Sequence, residues 1–139
     1  MKSMPGPTKE IVVAAAIVRD GRLLLVEQRK AAALGLWSYP GGRVEAGESL
    51  SQALGRELAQ EVGLAIVRAF PLRIDRTGEL FEHHAYFVTA TGDVTLSQSE
   101  LLGFGWFSLE QIEHMQPLLR APWIVDIAQI AFAKANTAL

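Results

Sequence analysis

The sequence predicts an α/β or α+β sandwich, a sheet flanked by helices and not a series of alternating βαβ units. Three observations lead there. Two apolar runs meet across Asp20-Gly21, a strong two-residue hairpin signal. A single amphipathic helix with signals at both ends then runs from Ser49 to Gly63. Further strand-like runs and helical segments follow it, so the order is strands, helix, strands, helix.

Residues 11–19, rich in Val, Ile and Ala, read as the first strand. Residues 22–28 return along it, with Leu23, Leu24, Leu25 and Val26 in the middle. Residues 29–42 read as loop, because Pro40-Gly41-Gly42 offers positive φ and close backbone approach. Ser49 and Gln52 make a capping box, and Glu48 sits where the helix dipole favours negative charge. Gly63 occupies the C′ position, which ends the helix at about Val62. Residues 64–76 and 80–89 read as strands around Thr77-Gly78, and Thr91-Gly92-Asp93 breaks the chain again. Residues 104–107 form a short strand, and Ser108 with Gln111 caps a short helix. Pro122 fits the first turn of a last helix whose Ile124, Ile127, Ala128 and Ala131 line one face.

At 139 residues the chain suits one compact domain, able to bury about 68% of its unfolded surface without staples. That domain is taken as residues 9–139, preceded by a flexible tail over residues 1–8. Half the residues are apolar and 20% are charged, which excludes a disordered chain. Thirteen Lys+Arg against 15 Asp+Glu give a net charge of −2, so no basic field recruits a nucleic acid polymer. The absence of cysteine removes disulfides, thiolate zinc sites, iron–sulfur clusters and cysteine nucleophiles together. The longest apolar run, residues 11–18, falls well short of the ~18 residues of a transmembrane helix. The expectation is a cytoplasmic protein with no membrane partner, a monomer or homodimer.

The first helix carries carboxylates on an unexpected face. At about 100° per residue, Leu50, Ala53, Leu54, Leu58 and Val62 define the apolar stripe, and Glu57 and Glu61 fall inside it. Spaced i,i+4, the two repel by ~0.2–0.5 kcal/mol even when exposed, and by more when partly buried. A solvated charged face is one reading; it would have set the carboxylates opposite the leucines. The other is a pair of ligands for a hard divalent cation such as Mg²⁺. Just ahead, residues 41–48 bring Gly41, Gly42 and Gly47, Arg43, Glu45 and Glu48 to the helix N-terminus, where phosphate is favoured. Neither a P-loop nor a dinucleotide glycine fingerprint is present.

Residues 42–64 resemble the Nudix box, G-x5-E-x7-R-E-U-x-E-E-x-G-U with U aliphatic. Gly42, Glu48, Arg56, Glu57, Leu58, Glu61, Gly63 and Leu64 match in register. The first glutamate of the final pair is replaced by Gln60. A hairpin before the box and Trp106-Phe107-Ser108-Leu109-Glu110 after it are similar to the family's flanks. The resemblance implies a MutT-like Nudix hydrolase with an α/β/α sandwich around a mixed β-sheet. It implies water attack on a diphosphate bridge of a small nucleotide substrate with Mg²⁺ or Mn²⁺ as cofactor. Carried over by position, Glu57, Glu61 and the Gly41 carbonyl are metal ligands, Gln60 stands at a further ligand position, and Glu48 pairs with Arg56 to hold the loop. A neutral amide at 60 implies fewer tightly held ions before substrate arrives.

Outside the box the readings divide. Glu100, six residues before Trp106, stands where the nucleotide-sanitising branch of the family keeps a glutamate that ligates metal or deprotonates water; the alternative is an ordinary polar loop. Glu79 and Glu82 fit a solvated strand face. Arg43, within the glycine loop, and Arg29 are candidate phosphate clamps, although Arg29-Lys30 also fits a charged strand end. His83 and His84, adjacent in a strand, point to opposite faces and cannot share one ion; packing or surface roles suit them, and helix surface suits His114. Trp37 and Tyr39 read as core, with base stacking the minority alternative. ADP-ribose and nucleotide sugars, (deoxy)nucleoside triphosphates and dinucleotides all remain open, with a small nucleotide pyrophosphatase favoured by the short chain. The competing class is a non-catalytic nucleotide-binding module with a degraded box, for which Gln60 speaks.

Overall fold

The computed structural model describes residues 9–137, so the tail expected over residues 1–8 lies outside the described residues. The chain forms β1 (Glu10–Arg19), β2 (Arg22–Gln28), β3 (Trp37–Ser38), β4 (Gly41–Arg43), α1 (Leu50–Val62), β5 (Ala65–Thr77), β6 (Phe81–Thr91), β7 (Leu101–Phe107), α2 (Leu109–His114) and α3 (Trp123–Thr137). Asp20 and Gly21 both take positive φ, 50° and 73°, which is the twist a two-residue hairpin requires.

β1 and β2 pair only beside that turn, through Val18↔Leu23 and Arg19↔Arg22. They then diverge. β1 runs parallel to β6 from Glu10↔Phe81 to Ile17↔Val88 and antiparallel to β4. β2 carries β3 and β7, while β5 lies antiparallel to β6. The sheet is therefore mixed, in the order β3-β2-β1-β6-β5, with β4 on β1 and β7 on β2. α1 covers one face and α2 with α3 the other, the expected α/β/α sandwich.

Two-sided cover explains why residues 11–18 are apolar without alternation. Val13, Ala15 and Ile17 pack with Ala53, Leu54, Leu58 and Val62 of α1. Ala14 and Ala16 pack with Ile124, Ile127, Ala128 and Ala131 of α3. Among the described residues no helix is long and apolar enough to cross a membrane.

The structure corrects the loop expected over residues 29–42. It holds a 3₁₀ turn at Ala31–Ala33 and the strands β3 and β4. Gly41 and Gly42 read as loop residues by composition, yet they pair with Ala14 and Val13 of β1. A Cβ on Gly41 would overlap the Val13 carbonyl oxygen, so the glycine reflects close seating of two strands, not a turn. β7 likewise starts at Leu101, before the expected 104, because a bulge between Glu27 and Gln28 lets Leu101 pair with Gln28. Pro122 stands one residue before α3 begins.

Candidate functional site

α1 is fixed at both ends by local chemistry. The Ser49 hydroxyl accepts from the Gln52 N–H at 3.1 Å and the Gln52 side chain accepts from the Ser49 N–H at 2.8 Å. Gly63, at φ 68°, closes the helix by donating its N–H to the Leu58 carbonyl. Held this way, the helix turns Leu54 and Leu58 into the core and carries Glu57 and Glu61 with them. Glu61 is 6% exposed. The Glu57 side chain is 15% exposed.

β4 meets these carboxylates directly. The Gly41 N–H donates to Glu61 Oε1 at 2.7 Å. Ala15 bonds the Pro40 carbonyl and Val44 the Ile11 carbonyl, so in antiparallel alternation both polar groups of Gly41 point away from β1. Its carbonyl thus leaves the strand on the same side as the N–H that reaches Glu61. Gly42 faces the other glutamate, and a Cβ there would lie 2.5 Å from Glu57 Oε1.

Arg56 ties the loop to the helix. Its Nε and Nη2 donate to the two Glu48 carboxylate oxygens at 2.6 and 2.9 Å, a bidentate pair. Nη2 also reaches the Arg43 carbonyl at 3.0 Å, and Nη1 donates to Glu57 Oε1 at 2.8 Å and Gln60 Oε1 at 3.2 Å. The guanidinium holds the Glu48 carboxyl down at about 2. The Arg56 pKa is pushed higher still by Glu48.

The helix carboxylates behave in the opposite way. Burial pushes Glu61 up to about 8; the Gly41 N–H opposes this, and the charges of Glu57 and Glu100 add to it. Burial also raises Glu57, with Arg56 opposing and Glu100 adding. Two carboxylates that resist ionisation side by side form a site that favours added positive charge.

These groups line a cleft of ≈ 280 Å³ bounded by Gln28, Lys30, Gly41, Gly42, Arg43, Glu45, Glu57, Glu61 and Glu100. Glu100 lines it from the turn before β7, a turn whose Ser97 N–H donates to the Glu61 carbonyl at 2.9 Å and whose Glu100 carbonyl accepts from the Arg29 N–H at 3.2 Å. Arg29 does not line the cleft and Lys30 does. By composition Arg29-Lys30 reads as a charged strand end; only the pairing that ends β2 decides which of the two adjacent cations lines the cleft. Gln28, 6% exposed and donating to Ser38 Oγ at 2.8 Å, was also missed. Gln60 is exposed on the flank, bonded to Arg56 and outside the cleft lining.

The remaining candidates lie elsewhere. Glu82 joins Lys9, Arg76 and His84 in a cluster of charges. Glu79 is exposed in the turn before β6, and His114 caps its own helix through the Glu110 carbonyl at 2.8 Å. Tyr39 is buried with its hydroxyl on the Ile124 carbonyl at 2.6 Å, and Trp37 packs edge-on to Phe107 at 5.4 Å. Tyr39 belongs to the core, and Trp37 is part-buried against it.

The donor set fits a hard divalent cation, being all oxygen and rich in carboxylates that repel one another. Among the described residues no three His, Cys, Asp or Glu side chains gather closely enough to hold a metal ion by themselves.

A family model described as the NUDIX domain matches residues 8–127. A CTP pyrophosphohydrolase of Escherichia coli is 38% identical over 104 residues, covering 72% of this chain and 76% of that protein. An 8-oxo-dGDP phosphatase of Mus musculus is 28% identical over 101 residues, covering 70% of this chain. The matched stretch is only 31% of that mouse protein's length. The crystal structure of a MutT NUDIX hydrolase from Burkholderia pseudomallei superposes with a TM-score of 0.73 at 29% identity, covering 91% of this chain and 97% of that one.

Proposed function

This chain belongs to the NUDIX hydrolase family, and from that premise we propose that it hydrolyses the diphosphate linkage of nucleoside triphosphates. One water adds across a phosphorus–oxygen bond, releasing a nucleoside monophosphate and pyrophosphate. The observation that carries this reading is the convergence of Glu57, Glu61, Gly41 and Glu100 with Lys30 and Arg43 in one cleft. The name of the E. coli relative, three quarters of which this chain matches, supports a triphosphate over a nucleotide sugar.

Glu57, Glu61 and the Gly41 carbonyl would hold Mg²⁺ or Mn²⁺. Bound there, the cation supplies charge neutralisation for the diphosphate oxygens and acidifies a water. Glu100, which lines the same cleft, accepts the proton that the attacking water gives up. Lys30 draws the phosphates in and orients them, which turns a bimolecular encounter into a positioned one, whereas the Arg43 guanidinium lies against Phe81 and Glu10. Glu48 and Arg56 keep β4 and the loop after it fixed against α1, so Gly41 and Glu57 stay in register. Burial of Glu61 keeps its ionisation tied to arrival of positive charge.

The test is product analysis over nucleoside triphosphates, nucleotide sugars and dinucleotides, with Mg²⁺ and with EDTA. Pyrophosphate and monophosphate from a triphosphate, abolished by chelator, is the expected result. Full turnover in chelator, or binding without cleavage of every compound, would overturn the reading.

A further inference from the structure

The last carbonyls of a helix have no intrahelical donor and must find partners outside it. In α1 two of them are capped by the segment that leads into β7. The Thr95 N–H donates to the Val62 carbonyl at 2.8 Å, and the Ser97 N–H to the Glu61 carbonyl at 2.9 Å. The Ser97 carbonyl in turn accepts from the Glu100 N–H at 3.1 Å and the Leu101 N–H at 2.9 Å. Beyond it the Glu100 carbonyl accepts from Arg29, and Leu101 opens the pairing of β7 by meeting Gln28. Gly63 lies so close to this segment that a Cβ there would stand 3.1 Å from Thr95 Cβ.

Ser97 thus binds α1 with its N–H and closes the turn that carries Glu100 with its carbonyl. Glu100 is exposed, and among the described residues its carboxylate forms no ion pair. Its place in the cleft is therefore set by its backbone. Placement matters, because a shift of about 1 Å in a reacting group can cost about a hundredfold in rate. Resting on the reading of Glu100 as the proton acceptor, we infer that Ser97 is a positioning residue that hangs Glu100 from the end of α1. The point of attachment is Glu61 itself, which meets Gly41 with its carboxylate and the turn with its carbonyl. Glu57, Glu61 and Glu100 consequently move as one body, although the β5–β6 hairpin separates them in sequence.

The Ser97 hydroxyl touches Ser99 Oγ at 3.2 Å, on the outside of the turn, so the backbone and not the hydroxyl does the holding. Ser97→Pro removes the N–H that binds Glu61. Gln98→Pro is the control, since the second position of a turn favours proline and the Ser97 carbonyl takes its bonds from Glu100 and Leu101. Amide hydrogen exchange and steady-state rates are measured for both, alone and combined with Glu100→Gln. The wild-type Ser97 and Glu100 amides are expected to exchange about tenfold or more slowly than an open loop. Ser97→Pro should cut the Glu100 protection by about tenfold, while Leu54 and Leu58 keep theirs. It should lower kcat for a nucleoside triphosphate about tenfold or more with KM within about threefold, and Gln98→Pro should leave both within about threefold. With Glu100→Gln in place, the kcat loss from Ser97→Pro should shrink to within about threefold, because the serine acts through that glutamate. A general structural disturbance would lower the rate equally in both backgrounds and overturn the inference. An unprotected Ser97 or Glu100 amide in wild type would overturn it too, and decides even where Ser97→Pro fails to fold. Full turnover by Glu100→Gln counts against the proton-acceptor reading, whereas unchanged Glu100 exchange in Ser97→Pro counts against the positioning.

Discussion

The Gly41 N–H donates to Glu61 Oε1 at 2.7 Å, joining a strand edge to a helix carboxylate twenty residues further on. This bond is the main opposition to the burial that makes Glu61 hard to ionise. It also aims the Gly41 carbonyl to the same side, so one strand residue positions a carboxylate and offers an oxygen beside it.

Removing either helix charge should separate activity from stability. Glu57→Gln and Glu61→Gln are each expected to lower kcat by ~10²-fold or more. Folding should be kept or improved, because a like-charge pair in a partly buried site is relieved. Steady-state rates and thermal unfolding of the metal-free variants check both halves.

The Glu61 shift gives the metal-free chain a pH-dependent stability with a definite sign. Its folded pKa is raised from 4.5 to about 8. Between those values the folded chain binds more protons than the unfolded one, so stability falls as pH rises through the window. Melting in EDTA from pH 5 to pH 8.5 should show that fall, and Glu61→Gln should flatten it. Mg²⁺ added at pH 7 should release protons, detectable in buffers of different ionisation enthalpy.

Glycine substitutions should report the contact between β4 and α1. Gly42→Ala sets a Cβ 2.5 Å from Glu57 Oε1 and displaces that carboxylate, so a loss of activity of about tenfold or more is expected. Gly47→Ala meets nothing within 4 Å but must adopt φ 83°. It should weaken folding by roughly 1–2 kcal/mol with near-normal turnover per folded molecule. Parallel denaturation and rate measurements distinguish the two.

Lys30 and Arg29 make a direct comparison of neighbours. Lys30 lines the cleft and Arg29 does not. Lys30→Ala should raise KM for a triphosphate several-fold, with a salt-dependent effect, whereas Arg29→Ala should leave KM within about twofold.

Gln60 tests how far the flank of α1 takes part in metal binding. A carboxylate at that position would add negative charge beside the cleft, so Gln60→Glu is expected to lower the Mg²⁺ concentration for half-maximal rate. An unchanged metal titration would restrict position 60 to its contact with Arg56.

The sequence by itself determined what depends on neighbours along the chain. The Ser49–Gln52 box, the Gly63 stop and the 3.6-residue period fixed α1, and that period placed Glu57 and Glu61 among leucines. The Asp20-Gly21 turn fixed the first hairpin in the same local way. Only the tertiary structure decided what depends on pairing between distant segments. Gly41 and Gly42 carry loop composition, yet close seating against β1 makes them a strand, and their register faces each toward its own glutamate. Arg29 and Lys30 are chemically alike in sequence, and the end of β2 chooses between them. Local propensity is set by a few adjacent dihedrals and side chains, whereas register is set by which face each strand must bury, and that is settled only when the whole sheet assembles.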